Sequence, residues 1–232
     1  ASQTRRNWEI RLSQLQKSVQ SLKSEFFAKL DPKHLPKPNL NLSDARAGGL
    51  DWKYSLTNPG DGWETNGFGD AEWQVGKSGF GLRGTPGSIV HTEWKTKDIW
   101  LRHKFGLAEL PESLFLSFHH DEDITVFLNG RQILHRTGYS TYYQTEDVTD
   151  SAIPALQTGQ NVLAVHVKQT IGGQFFDLSL RGFSKPVHLD HLMNKYGKDV
   201  LSAGRFNLYN KDKDSLANHL KTEPSASQYP VL

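Results

Sequence analysis

The sequence predicts an all-β protein, an antiparallel β-sandwich, with an α-helix in front and an irregular extension behind. Three observations predict it. Apolar and polar residues alternate with period two in many short runs between residues 50 and 183. No helical periodicity interrupts those runs, so crossover helices and a parallel sheet are not expected. Gly 20 and Pro 10 in 232 residues supply the turns such a fold needs.

The front segment has a different period. Trp8, Leu12, Leu15, Val19, Leu22 and Phe26 recur at spacings of four and three, with Arg11, Gln14, Lys17 and Lys23 between them. That is a helix over 8–30 with one apolar seam. The seam packs on the sandwich or a neighbouring domain, or it self-associates. Three prolines in 31–38 (DPKHLPKP) end the helix and predict an extended linker. The domains expected are therefore 1–38, helix and linker; 39–185, sandwich; and 186–232, extension.

The strands follow in order. Gly48 and Gly49 precede the first, at 50–56. The run 98–107 (DIWLRHKFGL) alternates. Leu114, Leu116 and Phe118 alternate with Phe115, Ser117 and His119, and Ile124, Val126 and Leu128 with Thr125, Phe127 and Asn129. Asn129-Gly130 is a hairpin turn, because both positions tolerate positive φ. Leu163, Val165 and Val167, then Phe176, Leu178 and Leu180, complete the set. The core is expected to hold Leu116, Phe118, Val126, Leu128, Leu163, Val165, Leu178 and Leu180. Behind it, 188–200 (HLDHLMNKYGKDV) reads as a short helix and 210–227 as polar and weakly patterned.

Composition excludes several functions. The formal net charge of +2 offers no concentrated basic face for nucleic acid. No apolar run is long enough to span a membrane. Cysteine is absent, which removes disulfides and Cys-ligated zinc. Trp 6, Tyr 7 and Phe 12 supply core area that the 36% hydrophobic fraction alone would leave thin.

Several phrases occur in a telling order: FGDAEW at 68–73, GKSGFG at 76–81, TEWKTKDIWLR at 92–102, HHDEDITVFLNG at 119–130, GYSTY at 138–142 and NVLAVHVKQTIGGQFFD at 161–177. Together they resemble the galactose-binding-like jelly rolls of multidomain bacterial glycoside hydrolases, including the sugar-binding domain of β-galactosidases. The resemblance covers 50–183. It implies a secreted bacterial protein, extracellular or periplasmic, that binds a polysaccharide or oligosaccharide. It also implies a structural calcium, for which Asp70 and Asp177 are the carboxylates to test. The alternative is a structural module bracing another domain or subunit.

The residues themselves suggest where a saccharide would sit. The run His120, Asp121, Glu122 and Asp123, expected in a tight turn, offers hydrogen-bonding carboxylates and an imidazole. Tyr139 and Tyr142 offer stacking faces. Gln169 and Gln174 flank Gly172-Gly173, expected to form a hairpin, and offer amides. Each segment equally suits a plain turn. His119, His166 and Asp177 leave the apolar face of their strands and converge if those strands are neighbours. Of the tryptophans, Trp94 is the one expected to be exposed, and Trp73 and Trp100 the ones expected to pack. No nucleophile elbow, P-loop, dinucleotide fingerprint or zinc-protease helix is present. An enzyme would have to use His119 or His120 as base with a loop tyrosine as acid, as a polysaccharide lyase does.

Overall fold

The computed structural model of the chain describes residues 3–224. They divide into two compact units: Lys33–Val187, which carries every described strand, and a helical unit made of the chain up to Pro32 and from His188 onward.

Lys33–Val187 forms two six-stranded sheets. The first contains β1 (Pro38–Leu42), β4 (Phe80–Gly81), β5 (Thr92–Glu93), β7 (Ser113–Asp121), β10 (Gln144–Asp147) and β12 (Phe175–Phe183). Its order is β10-β7-β12-β4-β5, with β1 also paired to β12. The second contains β2 (Asp51–Ser55), β3 (Gln74–Lys77), β6 (Asp98–Leu107), β8 (Asp123–Leu128), β9 (Arg131–Arg136) and β11 (Gly159–Lys168), in the order β3-β2-β6-β11-β8-β9. All pairs are antiparallel except β4 with β5.

The alternation explains this arrangement. Each strand turns every second residue to a shared interior. One hydrophobic cluster takes Leu114, Leu116, Phe118, Phe176, Leu178 and Leu180 from the first sheet. From the second it takes Ile99, Leu101, Ile124, Val126, Leu128, Leu163, Val165 and Val167. All eight core residues expected from sequence lie in this cluster. Asn129 and Gly130 both have positive φ and join β8 to β9 in a two-residue hairpin.

Three expectations are corrected here. The segment 31–38 is not a plain linker: Pro32–His34 is a 3₁₀ turn and Pro38 opens β1. A strand that starts at proline on a sheet edge loses no ladder bond, so its prolines disguise it. Trp94 is buried, with its indole Nε1–H donating to Thr96 Oγ1 at 2.9 Å. The C-terminal extension is not irregular over its described part, because Leu189–Leu201 (α3) and Ala203–Leu220 (α4) are helices. Residues 225–232 of that extension lie outside the described residues.

In the helical unit the first helix, Gln3–Lys29 (α1), packs on α3 and α4. Leu15, Val19, Leu22 and Phe26 of its seam are buried. The seam's partners are thus the chain's own distant helices. Trp8 stacks on His219 with ring centroids 5.0 Å apart, and Ser18 Oγ–H donates to Asp212 at 2.5 Å. Lys23 and Lys213 both pair with Asp190, at 2.6 and 3.1 Å. Hydrogen bonds from these cations overcome its burial and hold its carboxyl at about 2. These polar contacts explain why α4 lacks a legible apolar stripe. A short helix, α2 (Thr149–Ala152), follows β10.

The core assignment is testable. Val165→Asp should lower the unfolding free energy by about 3–5 kcal/mol, because an unpaired carboxylate would sit between the sheets. Urea denaturation followed by tryptophan fluorescence measures it; a loss below about 1 kcal/mol would remove Val165 from the core.

Candidate functional site

Strand register builds the candidate site. The chain passes between the sheets from β7 to β8, from β9 to β10 and from β11 to β12. Asp121, the last residue of β7, pairs with Phe175, the first of β12. Gln144, the first residue of β10, pairs with Phe118 near the same end of β7. Lys168, the last residue of β11, pairs with Asp123, the first of β8. Antiparallel pairing therefore brings all three crossovers to one end of the sandwich.

This corrects two local readings. His119, His120 and Asp121 belong to β7 and Asp123 to β8, so only Glu122 stands between the strands. The run is a corner between sheets and not a turn, and its Asp121–Glu122 peptide is cis. Gly172-Gly173 is not a hairpin either, because β11 and β12 lie in different sheets.

The three crossovers touch one another. Asp121 bridges to Tyr139. Gly138 N–H donates to Asp123 Oδ1 at 2.8 Å, and Ser140 N–H to the His120 carbonyl at 2.9 Å. The Thr170 hydroxyl donates to Glu122. Gly173 is required: a Cβ there would run into the Asp121 carboxylate, with Thr85 Cγ2 at 2.9 Å.

The side chains expected to bind divide sharply. Tyr139 is 68% exposed, Tyr142 48% and Ile171 81%. Bridged residues project to the same side of a sheet, so Tyr139 and Asp121 share a face. Asp121 is only 6% exposed, yet no described side chain or amide hydrogen-bonds its carboxyl. Burial raises its pKa, the charge of Glu122 raises it further, and nothing pulls it back. His120 is instead buried against Phe118, ring centroids 5.6 Å apart, and its Nδ1–H donates to the Glu122 carbonyl at 2.5 Å. Gln174 is buried and donates to the Thr96 carbonyl at 2.8 Å. Gln169 braces its own loop through the Gly173 carbonyl. His120, Gln169 and Gln174 thus hold the corner together and do not present amide or imidazole to solvent. Ile171 was missed by sequence reasoning; its signal is a lone large apolar residue inside the polar loop QTIGGQ.

Beneath this corner the outer face of the first sheet carries a buried polar layer. His119 and Asp177 are cross-strand partners, whereas His166 lies in the second sheet, stacked on Trp100 and 2.9 Å from Asp98. Asp177 Oδ2 accepts from the Tyr143 hydroxyl at 2.5 Å and from the Ala45 amide at 2.8 Å. It thereby ties two covering loops to the sheet. The Arg46 guanidinium lies 3.7 Å from the Tyr143 ring centroid and pairs with Asp44 at 2.6 Å. Burial pushes Asp177 up to about 7, and pushes the Tyr143 hydroxyl above the usual tyrosine range. Burial also lowers both histidines, and His119 Nε2–H donates to the Ser140 carbonyl at 3.0 Å. Both rings are buried, and each has one nitrogen bonded to a backbone carbonyl.

The two carboxylates proposed for calcium do not fit it. Calcium takes six to eight oxygens, including ionised carboxylates. Asp70 is held by Arg102 Nε at 2.9 Å and Lys104 Nζ at 3.2 Å. Burial opposes its charge, but those hydrogen bonds outweigh it and lower its pKa. Arg102 lies in the second sheet and Asp177 in the first, so the two carboxylates serve separate networks. Among the described residues no cluster of His, Asp and Glu has the geometry to hold a metal. Nor is any described helix long and apolar enough to cross a membrane.

No family model matches the chain, and no curated protein matches it. Solved structures similar to it include glycoside hydrolases. A β-glycosidase from Bacteroides vulgatus is 21% identical, with 57% of this chain and 19% of that one covered and a TM-score of 0.43. A glycosyl hydrolase family 2 member from Bacteroides cellulosilyticus is 19% identical, covering 56% and 20%, with a TM-score of 0.41. A β-glucuronidase from Ruminococcus gnavus is 15% identical, covering 58% and 28%, with a TM-score of 0.40. The chain thus spans less than a third of each of these proteins.

The Asp177 anchor makes a pH prediction. Its folded pKa of about 7 lies above the unfolded value near 3.9, so the native state binds the extra proton. Stability from this group is complete below about pH 4 and declines as pH rises to about 7, by roughly 4 kcal/mol. Asp177→Asn keeps an acceptor for Tyr143 and Ala45 without the charge. The wild type minus variant difference should fall over that window, opposite in sign to the contribution of the buried histidines. Chemical denaturation across the pH range measures it; a flat difference would show that Asp177 does not titrate there.

Proposed function

We propose that Lys33–Val187 is a non-catalytic saccharide-binding module, a galactose-binding-like jelly roll belonging to a secreted carbohydrate-active enzyme. Its site is the corner where the three crossovers meet. One observation carries this reading: a nearly buried carboxyl, Asp121, has no protein partner and shares a face with the exposed ring of Tyr139. A sugar offers what both groups lack, a hydroxyl donor for the carboxyl and an apolar ring face for the tyrosine. Tyr142 and Ile171 extend the apolar rim.

The rest of the corner favours binding over turnover. Asp121 and Glu122 are neighbours in the chain, so they do not flank a glycosidic bond as a hydrolase pair does. His119 and His120 are buried, which keeps their rings from a substrate lying on the rim. An open rim gives modest affinity, about 10–1,000 µM.

Tyr139→Ala and Asp121→Ala should each weaken binding by roughly ten- to a hundredfold without changing the melting temperature downward. A glycan array followed by affinity electrophoresis on the polysaccharide that binds is the test. Unchanged retardation of both variants would remove the site from this corner.

A further inference from the structure

Asp121 differs from the other buried carboxylates of the sandwich in what surrounds it. Asp44 has Arg46, Asp70 has Arg102 and Lys104, and Asp177 has the Tyr143 hydroxyl and the Ala45 amide. No described donor or cation is bonded to Asp121, and the charge that acts on it is that of Glu122. Glu122 in turn meets only the neutral Thr170 hydroxyl, and Asp123 only the Gly138 amide. Asp121 and Glu122 therefore stand side by side with no described ion pair to either, whereas Asp123 has Lys168 opposite it across the β8–β11 ladder.

We propose, on the footing of the saccharide site above, that the site is selective for amino sugars: Asp121 receives the ammonium group of a glucosamine-type residue stacked on Tyr139. A hydroxyl exchanges one hydrogen bond to water for one to protein and gains little. An ammonium gains a charge-assisted bond in a poorly hydrated setting, and it also relieves the repulsion between Asp121 and Glu122. The exposed Tyr139 face adds attraction for the same cation. A uronate brings its carboxylate against two others and is rejected. The formal net charge of the chain is +2, so bulk electrostatics would rank these ligands the opposite way. A preference for the amine must come from the corner itself.

Calorimetric titration of the full chain at about pH 6, where an amino sugar is charged and an ordinary carboxylate ionised, tests this. The probes are a fully deacetylated β-1,4-glucosamine tetramer, its N-acetylated counterpart and tetragalacturonate. The deacetylated tetramer should bind about tenfold tighter than the N-acetylated one, and the uronate should not bind. Asp121→Asn should shrink that gap to about twofold, and Glu122→Gln, which leaves Asp121 in place, should shrink it partly. Equal affinity of the two glucosamine probes, tighter binding of the uronate, or a gap that survives Asp121→Asn would overturn the selectivity. In those cases binding that still depends on Tyr139 would leave the saccharide site standing. No binding of any probe, together with an empty glycan array, would overturn both.

Discussion

The pairing of β7 with β12 sets the geometry of everything at the candidate site. Nine residues face nine, from Ser113 opposite Phe183 to Asp121 opposite Phe175. Parity then sorts the side chains: Leu114, Leu116 and Phe118 enter the core, and Ser117, His119 and Asp121 take the other face. A slip of one residue would drive His119 and Asp121 between the sheets and expose three large apolar groups. The register is therefore held by the core, and the polar face is ordered as a consequence.

That polar face is layered. Two residues in from the end of the sheet Asp177 and His119 lie opposite each other under covering loops, with Tyr143, Ala45 and Arg46 anchored above them. At the end of the sheet Asp121 meets the three crossovers, with Tyr139 exposed beside it. The buried part fixes the loops and the end of the sheet carries the exposed rings. Rigid support beneath an open rim is what a weak, specific binding site requires, since ordering costs are met on folding and not on binding.

Glycine makes the close approaches possible. Gly173 leaves room for the Asp121 carboxylate, and Gly87 for the His119 ring, 3.1 Å from where a Cβ would lie. In the helical unit Gly197 lets α3 approach α4, with Phe206 2.6 Å from its absent Cβ. Each is a place where two separate elements must touch, so none has a local signature beyond the residue type.

What the sequence determined by itself is what depends on neighbouring residues. Period-two alternation marked the strands and all eight chosen core residues, Asn129-Gly130 marked its hairpin, and the seam from Leu15 to Phe26 marked α1. These follow from backbone geometry over a few residues, which a local pattern encodes directly. Tertiary structure alone decided that the seam is covered by α3 and α4, that β1 pairs with β12, and that QTIGGQ crosses between sheets. It also decided which polar groups look outward. His120, Gln169 and Gln174 match Asp121 and Tyr139 as letters, yet His120 Nδ1 and the amide nitrogens of Gln169 and Gln174 bond to backbone carbonyls within the fold. Whether a polar group is satisfied depends on atoms brought from far along the chain, and no spacing within the sequence records that.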